Sequence, residues 1–326
     1  IMQQLSLCVI GEALIDFIPQ EKNCKLKDVM TFKKAAGGAP ANVAGVVAKL
    51  DGKAKLLTKL GNDPFGDYLI ECMKQQKIDV SYIKQTNEKD TSLAFVSLDE
   101  TGNRDFKFYR KSAADLDFGV EDIDENCLDD VGVVHFCSVD LVPSKMKEAH
   151  THLINLAKEK NILISFDPNL RFSLWDDLIL LKTTVLEFMK ECHILKLSDE
   201  ELEFICDETD IKKALPKLLK DNCQLVIYTK GKDGVDLFTR DFKISVASYK
   251  VDVVDTTGAG DTFIGAFLYQ LLKNNNLDLK AINQNEYYKY LDFASLYAGY
   301  ITTQKGALAS LASMETINEF KKTVIK

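Results

Sequence analysis

The chain has 326 residues, 46% of them apolar and 28% charged, with a formal charge of −8 and a pI near 5.2. That mix suits a globular chain able to bury a large core, and its acidic balance argues against a duplex nucleic-acid partner, which needs a basic footprint. No apolar run approaches the roughly 20 residues of a membrane-spanning helix, so no membrane partner is expected.

The amino terminus shows no basic, apolar and small-residue sequence of segments typical of a secretory signal. Eight cysteines, scattered without a CxxC pair, read as reduced thiols. Together these features lead to the expectation of a cytoplasmic protein. Short apolar runs at 7–10, 55–58, 133–137, 162–166, 193–197 and 225–229 alternate with stretches of helical periodicity. The alternation predicts an α/β fold, a central mostly parallel sheet flanked by helices.

Several runs end in polar or turn residues: Gly11-Glu12, Asp167-Pro168-Asn169, 196–198 and Lys230-Gly231. Ligands of open α/β sheets sit beyond the carboxyl ends of the strands, so chemistry is expected in those loops. Two regions depart from the alternation. Residues 91–98 and 104–110 are strand-like and flank a hairpin signal at 99–103, and 17–32 lacks a helical pattern. They predict a small β lid formed from about 17–32 and 91–110. No repeat or Pro/Gly/Ser linker interrupts the chain, so residues 1–326 are expected to form a single domain.

Asp16 follows the first strand and offers acceptors to a pair of hydroxyls. In Gly37-Gly38-Ala39-Pro40-Ala41-Asn42, two glycines allow close backbone approach to a ligand. Pro40 suits a first helical turn, and Asn42 carries both a donor and an acceptor. The strongest local signal is Asp255-Thr-Thr-Gly258-Ala259-Gly260-Asp261, leading into an amphipathic stretch that ends near Lys273. A helix opening at 258–261 aims free N–H groups and a positive dipole end at one point, which makes an anion hole. Asp261 in its first turn is placed to take a proton from an attacking hydroxyl. The same glycines and aspartate also serve as an ordinary turn and cap. Walker A, protein-kinase and dinucleotide-binding patterns are absent.

With these two runs stand Lys59-Leu-Gly61-Asn-Asp63-Pro-Phe-Gly66, Phe108-Tyr109-Arg110, Phe166-Asp-Pro-Asn-Leu-Arg171, 196–201 and Thr229-Lys-Gly231-Lys-Asp-Gly234. In that order along the whole chain they resemble the ribokinase-like, phosphofructokinase-B type family of carbohydrate kinases, and within it the fructokinases. The resemblance implies a ribokinase-like fold that transfers phosphate from ATP to a sugar, with Asp261 as base and Gly258, Ala259 and Gly260 as the anion hole. It assigns Arg171 to the transferred phosphoryl group. Sugar recognition falls on Asp16, Gly37, Gly38, Asn42 and Asn169, with Arg110 reaching in from the lid. The nucleotide falls on Thr229, Gly231 and Gly234, with Ser198 nearby and Ser295 at the adenine wall.

The same resemblance places Mg²⁺ through water on Glu201, where Ser198 replaces the family's asparagine. K⁺ falls on Asp255, Thr257, Ile301, Gln304, Gly306 and Ser310. Apolar lid residues such as Phe95, Phe106 and Phe108 imply a homodimer paired through the lid. The neighbouring possibilities are a 2-keto-3-deoxygluconate kinase, a ribokinase, and a non-catalytic sugar-binding regulator on the same fold.

Overall fold

The structure is a computed structural model that describes residues 4–21, 24–98, 104–275 and 277–326. Its strands, in chain order, are β1 (Ser6–Ile10), β2 (Leu14–Pro19), β3 (Phe32–Gly37), β4 (Lys53–Gly61), β5 (Ile83–Thr86), β6 (Leu93–Leu98) and β7 (Arg104–Tyr109). They continue with β8 (Val131–Cys137), β9 (Leu163–Asp167), β10 (Ile194–Ser198), β11 (Leu225–Thr229), β12 (Val235–Phe238) and β13 (Lys243–Val246). A nine-stranded sheet has the order β13-β12-β11-β10-β9-β8-β1-β4-β5. All neighbours from β11 to β5 run parallel, and only β12 and β13 are antiparallel. Each of the six predicted apolar runs lies in one of these parallel strands, or overlaps all but its first residue.

Side chains of a strand alternate between its two faces, and both faces of this sheet are covered. On β1, Leu7 and Val9 enter one core while Cys8 and Ile10 enter the other. The first core is closed by α1 (Ala39–Lys49), α2 (Pro64–Gln75), α7 (Ala259–Lys273), α8 (Gln284–Thr302) and α9 (Met314–Lys321). The second is closed by α3 (Lys145–Glu159), α4 (Leu178–Met189), α5 (Asp199–Cys206) and α6 (Ile211–Leu218).

A separate four-stranded sheet has the order β3-β2-β6-β7. It begins earlier and ends later than the expected lid segment at 17–32, since β2 starts at Leu14 and β3 runs to Gly37. Residues 99–103, the hairpin signal, lie outside the described residues, as does the Phe106 side chain. One face of this sheet carries a ring cluster in which Phe17 stacks on Phe95 with centroids 4.7 Å apart, edged by Phe32, Phe65 and Tyr109.

The contact that sets the rest is between α1 and α7. A Cβ at Gly265 would stand 2.9 Å from Val46 Cβ and 3.0 Å from the Val43 carbonyl oxygen, so only glycine lets the two helices approach this closely. Gly265→Val is therefore expected to overpack this contact, costing about 1–3 kcal/mol of stability. A lowered urea midpoint is the measurement, and an unchanged midpoint would contradict the close approach.

Candidate active site

Both of those helices start at the same place. Helix α1 opens after Gly38, whose φ of +111° and proximity to the Glu12 carbonyl oxygen, 2.5 Å from where a Cβ would lie, require glycine. The first N–H of the helix, from Ala39, donates to Glu12 Oε1 at 2.9 Å. Helix α7 opens after Gly258, which is left-handed at φ +73° and packs its Cα face on Ala307. Gly258 brings no side chain to cap the helix, and of the first-turn amides that of Ala259 bonds to the Thr256 carbonyl. The Gly260 and Asp261 amides have no intrahelical acceptor, as in any first helical turn. They form a concentrated positive end open to an anion.

Asp261 is buried at this start. Asn42 Nδ2, from the first turn of α1, donates to its Oδ2 at 2.9 Å, and Asn169 Nδ2, from the loop after β9, donates to Oδ1 at 3.1 Å. The carboxylate is thus clasped by two amides that fix its plane. Asn169 holds its position in the left-handed region, at φ +46°, and its Oδ1 accepts from Arg171 Nη1 at 2.7 Å. Asn42 Oδ1 is buried with no partner among the described residues. An acceptor in that position is free for a substrate hydroxyl. Asp16, on β2, is the register partner of Ala35 on β3, and its carboxylate leans over Gly37 so closely that any side chain at 37 would collide with it.

Beneath the site lies a second layer of charge. Lys196, on β10, donates to Asp167 Oδ2 at 2.8 Å, and Asp167 ends the neighbouring strand β9. Burial pushes the Asp167 carboxyl up to about 7 against the pull of Lys196. Burial lowers Lys196, but Asp167, Glu201 and Asp261 outweigh it and leave the ammonium raised. On the other side, Glu12 donates its own N–H to Asp140 Oδ2 at 2.6 Å. Its carboxyl is pushed up to about 7 by burial, against the pull of Arg110 and the Ala39 amide.

The remaining expected residues fall into groups. Ser198 and Glu201 form a reciprocal cap of α5, Ser198 Oγ accepting the Glu201 N–H and Glu201 Oε2 accepting the Ser198 N–H at 2.9 Å. Glu201 Oε1 accepts the Leu170 N–H, which ties this cap to the Asn169 loop. Ser198 and Thr229 are register partners at the carboxyl ends of β10 and β11, and the Gly231 and Gly234 turn follows with positive φ at both glycines. Asp255 accepts from the Thr257 and Gly306 amides, joining the loop before α7 to the turn after α8. In that turn the Ile301 carbonyl accepts the Gln304 N–H, and Ser310 Oγ donates to the Lys305 carbonyl. Ser295 is half-buried on α8, and among the described residues no hydrogen bond links it to the Asp261 group.

The Arg110 guanidinium is buried against two carboxylates: Nε bonds Asp115 Oδ2 at 2.7 Å and Nη2 pairs with both Asp115 and Asp140, while Nη1 bonds the Val139 carbonyl. Each of the three guanidinium nitrogens has an acceptor, so Arg110 anchors the root of the small sheet. Arg171 likewise bends back on its own loop, to the Asn169 side chain and the Asn169 and Leu170 carbonyls. Sequence reasoning assigned no role to Glu12, Asp140, Asp167 or Lys196. The available signal was a charged residue inside or at the end of an apolar strand, a position that needs a partner or a use.

Glu12 gives a pH test with a defined sign. Its folded pKa is raised from 4.5 to about 7, so the native state holds a proton that the unfolded chain has released. The stability it contributes is full below about 4.5 and is lost as pH rises through about 7. Glu12→Gln keeps an acceptor for the Ala39 amide and removes that titration. The variant's melting temperature minus that of the unmodified protein should rise between pH 5 and pH 8, and a constant difference would refute the assignment.

The chain is 36% identical over 311 residues to fructokinase-2 of Zea mays, spanning 95% of this chain and 92% of the maize protein. It superposes on a fructokinase from Xylella fastidiosa, solved with bound ATP, with a TM-score of 0.90 at 29% identity over 98% of this chain and 99% of the other. It also superposes on a fructokinase double mutant from Vibrio cholerae O395, in a fructose, ADP and potassium ion bound form, with a TM-score of 0.87 at 30% identity over 97% and 98%. Residues 4–314 match the family described as pfkB family carbohydrate kinase, and the chain belongs to that family.

Proposed function

We propose that this protein is a fructokinase, which transfers the terminal phosphoryl group of ATP to fructose to give fructose 6-phosphate and ADP. The observation that carries the reading is the Asp261 carboxylate, clasped by Asn42 and Asn169 at the uncapped start of α7. The maize, Xylella and Vibrio relatives, all named fructokinases, support the choice of sugar.

In this reading the sugar lies between Asp16, Gly37, Gly38, Asn42 and Asn169, under the small sheet as a lid. The unpartnered Asn42 Oδ1 accepts one of its hydroxyls. Asp261 accepts the proton of the attacking hydroxyl while the oxygen closes on phosphorus and the bond to the ADP oxygen breaks. Negative charge gathering on the moving phosphoryl group meets the helix start at Gly258, Ala259 and Gly260, where the unbonded amides are those of Gly260 and Asp261. The nucleotide runs along Thr229, Gly231 and Gly234 with Ser198 and Ser295 beside it, and Arg171 steadies Asn169. Arg110, fully paired, supports the lid root rather than the sugar.

Two ions complete the reading. Both Glu201 oxygens already accept backbone amides, which suits Mg²⁺ held through its own water shell rather than directly. Its chemistry would be to neutralise the nucleotide phosphates. The Asp255, Thr257, Ile301, Gln304, Gly306 and Ser310 region contains no cluster of three or more acidic, histidine or cysteine ligands among the described residues. A monovalent cation held mainly by backbone carbonyls fits that donor set better than a divalent one, and the Vibrio fructokinase carries potassium. The ring cluster on the small sheet, with Tyr109 largely exposed, suits pairing of two copies through their lids. A cytoplasmic location agrees with eight free cysteines and with the lack, among the described residues, of any helix long and apolar enough to cross a membrane.

A sugar acid such as 2-keto-3-deoxygluconate needs an unpaired cation for its carboxylate, and the Arg110 charge is matched by two buried carboxylates. Steady-state turnover of fructose, ribose and 2-keto-3-deoxygluconate is expected to give fructose the highest kcat/KM. Asp261→Asn should lower kcat by about 1,000-fold or more while ATP and fructose still bind. Near-normal turnover by that variant would remove Asp261 as base. K⁺ is expected to raise kcat over Na⁺ or a large organic cation, and equal rates in all three would exclude the monovalent site.

A further inference from the structure

Strand β10 is an interior strand of the large sheet, yet it carries a lysine that is only 5% exposed. A buried ammonium costs several kcal/mol unless its donors are used. Among the described residues, Lys196 Nζ has one hydrogen-bond acceptor, Asp167 Oδ2 at 2.8 Å. An ammonium has three donors, so two remain. Asp167 is also incompletely bonded, since its Oδ1 is buried with no partner.

The place where those donors lie is specific. A Cβ built on Gly260 would stand 2.9 Å from Lys196 Nζ, so the ammonium occupies the space beside the second residue of α7. Any side chain at 260 would displace it. Arg171 commits Nη1 to Asn169 and to two carbonyls of its own loop, while its Nε and Nη2 have no hydrogen bond among the described residues.

We propose that Lys196, held by Asp167, is a cation that meets the transferred phosphoryl group in this protein. The inference rests on the kinase reading given above and adds a residue to it. As the sugar oxygen bonds to phosphorus and the ADP oxygen leaves, the proton goes to Asp261 and charge spreads over the phosphoryl oxygens. Lys196 keeps all its protons and donates its two unused N–H groups to those oxygens, beside the helix amides. Asp167 is a positioning residue that keeps the ammonium from swinging out of line, and Gly260 leaves the ammonium its space.

The experiment compares Lys196→Met, Lys196→Arg and the double variant Lys196→Met with Asp167→Leu, all as the full chain and on whichever sugar the unmodified enzyme turns over. Absence of turnover of any sugar by the unmodified enzyme would defeat the kinase reading itself and is seen before any variant is made. Lys196→Met should lower kcat by about 100-fold or more, with the sugar KM changed by less than about 3-fold, and Lys196→Arg should recover part of the loss. Affinity for ADP with aluminium fluoride and sugar should fall about as much as kcat, while affinity for ADP alone holds.

The double variant separates this role from plain charge neutralisation. It removes the buried pair together, so its melting temperature should return toward that of the unmodified protein while kcat stays low. Recovery of kcat in the double variant would overturn the proposal, because Lys196 would then serve only to neutralise Asp167. Unchanged affinity for the aluminium fluoride complex in Lys196→Met or, if that variant does not fold, in the double variant would overturn it as well.

Discussion

Two helix starts, brought to one point by a glycine contact, are the constraint on which the rest of the molecule depends. Gly265 lets α1 and α7 approach until Val46 and Val43 touch its Cα, and the consequence appears one turn earlier, where Asn42 and Asp261 meet. Each helix start then needs its own exception to ordinary backbone geometry, at Gly38 and at Gly258. Glu12 fastens the first start and Ala307 walls the second. None of these residues has to touch a substrate for its loss to matter, because each sets the distance between the Asn42 amide and the Asp261 carboxylate.

Charge is buried in two places around that point, and the two are built differently. Every guanidinium nitrogen of Arg110 has an acceptor, from two carboxylates and a carbonyl, and Asp115 is further bonded by Ser92 at 2.5 Å. Such a network holds structure together and has little left for a ligand. The Lys196 and Asp167 pair is unsaturated on both sides. In a dry interior an incomplete pair is costly, and a fold keeps one where something arrives to complete it. His135, pushed down to about 3 by burial and by Lys196, stays neutral beside them and bonds Ser165.

Much of this could be read from the sequence, for physical reasons. The apolar runs at 7–10 and 225–229 mark interior parallel strands, which are buried on both faces and so lose the polar alternation of an exposed sheet. The start and end of α7 were legible because glycine, aspartate and a long apolar stretch all agree there. Strands β5, β12 and β13 were not, since four residues at or next to a sheet edge leave too short a pattern to separate from loop. The Arg110 pairing was not legible, because one of its two partners, Asp140, is identified only when the segments after β7 and β8 are brought together in space. Serine at 198 looked like a departure from a metal motif, and its local reason, the cap of α5, needs the helix boundary to be known. The buried role of Lys196 was hidden for a similar reason, as a lysine at the end of a strand reads as exposed until the neighbouring strand supplies Asp167.

The clasp on Asp261 joins residues separated by 219 and 92 positions along the chain. Loop closure over such spans yields nothing until the intervening strands and helices have found their order. A growing chain on the ribosome therefore holds Asn42 and Asn169 long before the carboxylate they orient exists, and no shorter fragment contains a weaker version of the site. The clasp is complete only once α7 is docked on α1. A chain that stops short of α7 keeps both amides and lacks the carboxylate they orient, so along the sequence the clasp is all or nothing.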